Sequence, residues 1–339
     1  MRVAIYNPYL DTLGGGERYT MAAAQAFVSA GYEVHIEWKS EKVLKKLEER
    51  FGIRHDKRIK IIPDIKRGDG YETCFWVSDG SIPLLRARNN FLHFQFPFRK
   101  VRGRSLINKM KLFRVKAVIC NSEFTKRFID REYGVESTVV YPPVSVTKFR
   151  AKRKENMILY VGRFSNLAQA KRQDVLISVF KKFFDRGQRD WRLALAGGVE
   201  VGVGKYLKSL KKKANGYPVE FIESPSFKNL QELYGKAELF WSASGYGVDW
   251  EEVPSRAEHF GITVVEAMSA GAVPLVYNAG GHKEIVSKKF LWRRKSDLLK
   301  KTQGLIGDKK ALREASKKLR ERSRAFSEEE FRKKFLSLL

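Results

Sequence analysis

Residues 2–38 read RVAIYNPYLDTLGGGERYTMAAAQAFVSAGYEVHIEW. The opening run, Arg2–Asn7, is β-branched and aromatic, which predicts a strand. Gly14-Gly15-Gly16 follows, and an alanine-rich stretch from about Glu17 to Ala30 predicts a helix closed by Gly31. Glu33–Trp38 predicts the next strand. Strand, glycine turn, helix and strand in this order make a unit that places its strands parallel.

Outward from that unit the alternation continues through expected strands at Thr73–Ser78, Phe91–Phe96 and Ala117–Ser122. It breaks at Tyr141-Pro142-Pro143, and a basic stretch from Lys148 to Lys154 leads into a new strand, Met157–Gly162. A helix after Lys171, a strand at Trp191–Ala196, a helix near Tyr206–Ala214 and a strand at Val219–Glu223 follow. Two further strands, Glu238–Ala243 and Val273–Asn278, complete the second set. The expectation is an α/β chain of two Rossmann-like doubly wound domains, residues 1–150 and 151–325, facing across a cleft. Each offers a ligand crevice at the carboxyl ends of its strands. Phe331, Phe335, Leu336 and Leu339 give residues 326–339 an amphipathic helical pattern, assigned to the first domain.

Composition narrows the chemistry. Hydrophobic residues make up 43% of the 339 residues, enough for packed cores and too many for general disorder. Lys and Arg number 66 against 38 Asp and Glu, a net charge of +28 that favours polyanionic partners. Nucleic acid is one such partner, yet no aromatic RNA-binding pair, helix-turn-helix or zinc-ligand spacing supports it, and the charge spans both halves. Cys74 and Cys120 have no disulfide or metal pattern and read as small buried hydrophobes of a reducing compartment. No stretch approaches the ~18 apolar residues of a membrane span, and the first residues lack the apolar region of a signal peptide. The expected location is the cytoplasm, with any membrane contact peripheral.

The strongest chemical signal is EHFGITVVEAMSAG at 258–271. Gly261 marks a loop, helical spacing begins near Ile262, and Gly271 stops the helix. The N–H groups of Gly261, Ile262 and Thr263 then form an anion site at a helix start. Glu258 stands just before it and Glu266 a turn inside. Two carboxylates flanking a phosphate-sized site suit a nucleotide-sugar, although a pair of glutamates taken alone is more often solvated. Arg163 directly follows Gly162 at a strand's carboxyl end. Gly15 and Gly16 lie between strand and helix, where backbone can approach a phosphate or simply turn. Gly197, Gly198, Gly202 and Gly204 form a second such cluster. His93, in FLHFQFP, is either a site residue or a satisfied core histidine. No Ser-His-Asp or Cys-His set is recognisable.

The E-x7-E spacing, the following AMSAGAVPLV and Ala279-Gly280-Gly281 resemble the donor-site signature of family 4 retaining glycosyltransferases with the GT-B fold. Within that family the sequence is most similar to the α-1,2-mannosyltransferases of dolichol-linked oligosaccharide assembly. GGGERY at 14–19, VICNSEFTKRFI at 118–129, YVGRF at 160–164, KRQDVLI at 171–177 and FSEEEF at 326–331 carry the resemblance further. It implies an acceptor-binding first domain and a donor-binding second one. Glu266 would bind the donor ribose, Glu258 the transferred sugar, and Arg163 and Lys171 the diphosphate. His93 would lie near the sugar, and Gly15 and Gly16 near the donor phosphate. Paired cations stabilise the charge that grows on a departing phosphate, so no metal and no cofactor beyond the nucleotide-sugar is called for. The family's mechanism is front-face attack by the acceptor hydroxyl, with the leaving phosphate taking the proton.

The implied reaction moves a hexose, most closely mannose from GDP-mannose, to a lipid-linked or other glycan acceptor. A UDP-sugar enzyme acting on another acceptor is the alternative. Between Trp241 and Glu258 the chain reads SASGYGVDWEEVPSRAE, longer and more acidic than the family's short P-S-x-x-E joint.

From Gly80 to Ser122 there is no acidic residue, while Arg86, Arg88, Arg99, Lys100, Arg102, Arg104, Lys109, Lys111, Arg114 and Lys116 supply cations. Leu106, Ile107, Met110, Leu112 and Phe113 are interleaved with them. This pattern suits a patch lying on an anionic membrane surface, or a solvated basic helix. Arg99, Lys100, Arg102, Arg104, Lys109 and Lys111 are the candidate membrane or acceptor contacts, placing the protein at the inner membrane face.

Overall fold

Strand β1 (Arg2–Tyr6) buries Val3, Ala4 and Ile5 completely, as a strand covered on both faces must. The computed structural model describes residues 1–12, 14–52, 54–165, 171–199, 202 and 204–339. Helix α1 (Gly15–Ser29) returns the chain to β2 (Glu33–Glu37), followed by α2 (Lys42–Phe51), β3 (Ile59–Ile62), β4 (Thr73–Val77) and β5 (Asn89–Phe94). Helix α3 (Leu106–Leu112), β6 (Ala117–Cys120), α4 (Glu123–Tyr133) and β7 (Thr138–Val139) complete this part. The strands form one parallel seven-stranded sheet in the order β3-β2-β1-β4-β5-β6-β7.

A second parallel sheet has six strands. Its elements run β8 (Glu155–Val161), α5 (Gln173–Asp185), β9 (Arg192–Gly197), α6 (Gly204–Ala214), β10 (Val219–Glu223) and α7 (Phe227–Lys236). Then come β11 (Ala237–Ser242), α8 (Ile262–Ser269), β12 (Val273–Tyr277), α9 (His282–Ile285), β13 (Leu291–Trp292), α10 (Lys295–Gly307) and α11 (Lys309–Ser323). The order β10-β9-β8-β11-β12-β13 reverses direction between β8 and β11. At such a reversal the loops leaving the two strands part, which opens a ligand crevice at their carboxyl ends.

The chain divides into two compact units, Met1–Pro143 with Glu328–Leu339, and Val144–Ser327. The first change of unit comes earlier than the expected residue 150. Phe149 packs edge-on against Phe227 and Tyr234, and Gln231 donates to the Lys148 carbonyl at 2.8 Å, so this segment belongs to the second unit. The terminal helix also starts later than Phe326. That residue packs on Phe260 in the second unit, and α12 (Glu328–Leu336) is what rejoins the first. Phe331 packs on Tyr19 and Phe335 on Phe27 and Phe75, which buries the apolar face seen in the sequence. Cys74 and Cys120 are free and buried, and burial pushes both thiols up to about 12.

Candidate active site

The second unit builds a charged cluster at the crevice between β8 and β11. Gly162 and Arg163 leave β8, whose end is tied to that of β9 by bonds from Gly162 N–H to the Ala196 carbonyl and Phe164 N–H to the Gly198 carbonyl. A Cβ on Gly197 would collide with the Gly162 carbonyl, so the two backbones meet only because glycine is there. The Arg163 carbonyl accepts from Gln173 at 2.9 Å, which pins this loop to the first turn of α5, while the Arg163 side chain stays exposed. Gly202 and Gly204 follow β9, with Gly204 opening α6.

Lys171 lies just before α5, and its ammonium meets Glu258 Oε2 at 2.8 Å. Both side chains are largely enclosed, 14% and 15% exposed, so the pair is only weakly screened by solvent. Burial alone would raise the Glu258 pKa, but Lys171 and the neighbouring His282 outweigh it and hold the carboxyl at about 2. The fully buried His282 donates from Nδ1 to the Tyr277 carbonyl at 2.9 Å, leaving Nε2 toward Ser242 Oγ at 3.4 Å. Burial lowers its pKa, with Glu258 opposing. Burial raises the buried Tyr160 hydroxyl well above its ordinary value; Glu258 adds to that shift while Arg163 works against it. Arg163, Lys171 and Glu258 therefore act on one small region.

Glu258 is held there by its backbone. Gly281 N–H donates to the Glu258 carbonyl at 2.8 Å, and a Cβ on Gly280 would strike that carbonyl. This contact, together with the positive φ of Gly280, explains Ala279-Gly280-Gly281 physically. Gly261 has φ 113°, a conformation costly for any side chain, and it starts α8. The first bonds of α8 run from the Val264 and Val265 N–H groups to the Gly261 carbonyl. The N–H groups of Ile262 and Thr263 thus precede the bonded turn, as an anion site at a helix start requires.

Glu266 lies one turn beyond Ile262 on the same side of α8. It is no ordinary exposed helix residue. The side chain is buried, and Tyr234 of α7 donates to its Oε2 at 2.8 Å. The sequence reading missed Tyr234 as a partner, and also His282 and Tyr160, because each becomes relevant only once strands 8, 11 and 12 lie side by side. Residues 254–258 themselves read Pro-Ser-Arg-Ala-Glu and form a 3-10 turn leading into Glu258. The extra length therefore lies in residues 243–253. Tyr246 within it packs on Tyr277 and Trp292, and Arg172 donates to its carbonyl at 2.6 Å.

Candidates in the first unit are placed differently. His93 is fully buried rather than presented at an open strand end. Its ring stacks on Tyr19 with centroids 4.1 Å apart, and its Nδ1 lies 3.2 Å from the Ile119 carbonyl. Burial lowers its pKa to about 3, so the ring is neutral, and Nε2 has no hydrogen-bond partner among the described residues. Gly15 and Gly16 lie inside the first turn of α1, and a Cβ on Gly16 would collide with Gln95. The α1 start already holds a carboxylate. Buried Glu17 accepts from Gly14 N–H at 2.6 Å and from the Thr12 hydroxyl at 2.8 Å, so a phosphate there would meet like charge. Lys100, Arg102, Arg104 and Lys109 are exposed, whereas Arg99 and Lys111 are half-buried.

The sign of the Glu258 shift gives a pH test. A carboxyl whose folded pKa is depressed stabilises the fold above its ordinary value near 4.5 and loses that contribution as pH falls toward about 2. Thermal melts of wild type and Glu258→Gln from neutral pH downward should show a gap that narrows across this window. A gap independent of pH would contradict the assignment.

A model of the family described as "Glycosyl transferases group 1" matches residues 145–332, more than half of the chain. The chain belongs to this family. Among relatives of this group 1 glycosyl transferase is the GDP-Man:Man(3)GlcNAc(2)-PP-Dol alpha-1,2-mannosyltransferase of Neurospora crassa. It is 28% identical over 202 residues, covering 50% of this chain and 34% of that protein. The protein of the same name from Dictyostelium discoideum is 27% identical over 248 residues, covering 66% of this chain and 47% of that one. The chain thus spans less than half the length of either. Anabaena Alr3699/HepE, solved in complex with UDP and glucose, superposes with a TM-score of 0.76 at 16% identity, covering 99% of this chain and 98% of that one. A Rickettsia africae glycosyltransferase superposes with a TM-score of 0.75, also at 16% identity, covering 99% and 97%. The fold of this group 1 glycosyl transferase is accordingly GT-B, built from two doubly wound α/β units.

Proposed function

We propose that this protein transfers mannose from GDP-mannose to a glycan carried on a lipid pyrophosphate, with the donor held in the second unit. The observation that carries the reading is the gathering of Arg163, Lys171 and Glu258 at the β8–β11 crevice, with Glu258 just before the start of α8. Sugar–phosphate cleavage places growing negative charge on the departing diphosphate. A guanidinium, an ammonium and a helix start supply fixed positive charge that needs no reorganisation during the reaction. Glu258 holds Lys171 in place and has an oxygen to offer a sugar hydroxyl, while Glu266, fixed by Tyr234, offers one to the ribose. His93, neutral and enclosed, takes no part in the chemical step. The names of the relatives support mannose, GDP and the dolichol-linked acceptor.

A lipid-held acceptor places the enzyme peripherally at the cytoplasmic face of a membrane. No helix among the described residues is long and apolar enough to cross one. The test is transfer from a panel of GDP-, UDP- and ADP-sugars to a short-chain lipid-pyrophosphate glycan, with and without chelator. Mannose transfer from GDP-mannose, unchanged by chelator, is expected. Transfer from UDP-sugars alone would replace the donor assignment, and strict Mg²⁺ dependence would contradict the role given to the cation pair.

A further inference from the structure

Helix α3 turns its apolar side away from the protein. Leu106, Ile107, Met110 and Phe113 are 75%, 65%, 66% and 93% exposed, and no residue of α3 is buried. At about 100° per residue, Leu106, Met110 and Phe113 fall within one narrow sector that Ile107 widens. Lys109 and Lys111 bound that sector on its two sides. Leu112 lies opposite and packs against the cluster of Ile82, Leu92, Phe94 and Tyr133. The helix is therefore docked by one side, and its more apolar side has no cover.

The mount is firm. Glu132 of α4 accepts from the N–H groups of Lys100 and Val101 at 3.0 and 2.8 Å, and Arg104 Nε donates to the Arg131 carbonyl at 2.9 Å. Lys111 donates to the Ile82 carbonyl and Arg114 to the Leu85 carbonyl, each at 2.8 Å, which clamps α3 to the loop carrying Leu84, itself 41% exposed. Three of the expected surface cations, Arg104, Lys111 and Arg114, are thus drawn onto backbone carbonyls, while Lys109 stands exposed at the border of the apolar sector and Arg102 is exposed in the loop before α3.

We propose that α3 is a membrane-insertion element, whose Leu106–Met110–Phe113 face enters the headgroup–acyl boundary of an anionic bilayer. Charge decides the occupant. Residues 80–122 contain no carboxylate, and cations border the apolar face, which complements anionic headgroups over apolar chains. A single short helix buries little area, so the face grips a surface reversibly. The inference deepens the reading of a lipid-held acceptor and rests on it, but it is measured by binding alone.

The test is flotation of the full chain with vesicles of phosphatidylcholine, with and without phosphatidylserine. Wild type should float with the anionic vesicles, and a Met110→Asp/Phe113→Asp variant should lose about tenfold in bound fraction, since two charges would enter the boundary. The melting temperature of that variant should stay at the wild-type value, because both side chains are exposed. Phe113→Trp supplies an independent readout, a blue shift of its emission on adding anionic vesicles. Equal flotation of wild type and the Asp variant, equal binding to both lipid compositions, or unshifted Trp emission would each overturn the proposal. So would self-association without vesicles that the Asp variant abolishes, which would make a second copy the occupant. Flotation as expected with no sugar transfer from any donor would leave this inference standing and remove the functional reading.

Discussion

Lys171→Ala lowers turnover at saturating donor by at least ~100-fold, as removal of one fixed electrostatic group commonly does. Two effects act together. The ammonium proposed to meet the departing diphosphate is lost, and Glu258, 15% exposed, loses the partner 2.8 Å away that chiefly offsets its burial. Without Lys171 the Glu258 carboxyl is held less far below its ordinary range. Lys171→Arg keeps the charge but replaces a point donor with a planar fork, so it recovers only part of the rate. Steady-state kinetics with a parallel melt separates this from misfolding. Wild-type turnover in a folded Lys171→Ala protein would contradict the site.

Glu266→Ala has an effect of the same size, at least ~100-fold on turnover. Its cause is different, since Glu266 stands a turn inside α8, on the same side as Ile262. The carboxylate is buried and accepts from the Tyr234 hydroxyl at 2.8 Å, which orients it for the proposed contact with a ribose hydroxyl. A donor lacking ribose hydroxyls should therefore lose little further in the variant, whereas the natural donor loses most. Equal losses for both donors, or none, would remove the ribose assignment.

The β1–α1–β2 unit was readable because its strands are short β-branched runs and its helix is closed by glycine. β7 and β13 span two residues each and carry no periodicity to detect. Helix α11 was missed for another reason: Leu312, Ala315 and Leu319 are its buried stripe, but the surrounding lysines and arginines dilute it. In the site, Glu258, Gly261 and Glu266 were legible as one local motif. The Lys171–Glu258 pair joins residues 87 apart, and only the adjacency of β8 and β11 brings them together. His93 shows the opposite limit. Its apolar neighbours fitted both a site and a core, and the stack on Tyr19 gives the core environment.

Arg163, Lys171 and the α8 tip should together grip a nucleoside diphosphate, and thermal shift with GDP tests that most directly. The wild-type protein should melt at higher temperature with GDP, by mass action on the folded state, and both Lys171→Ala and Glu266→Ala should lose most of that shift. A shift that survives undiminished in both variants, or no shift with GDP, UDP or ADP, would contradict the account.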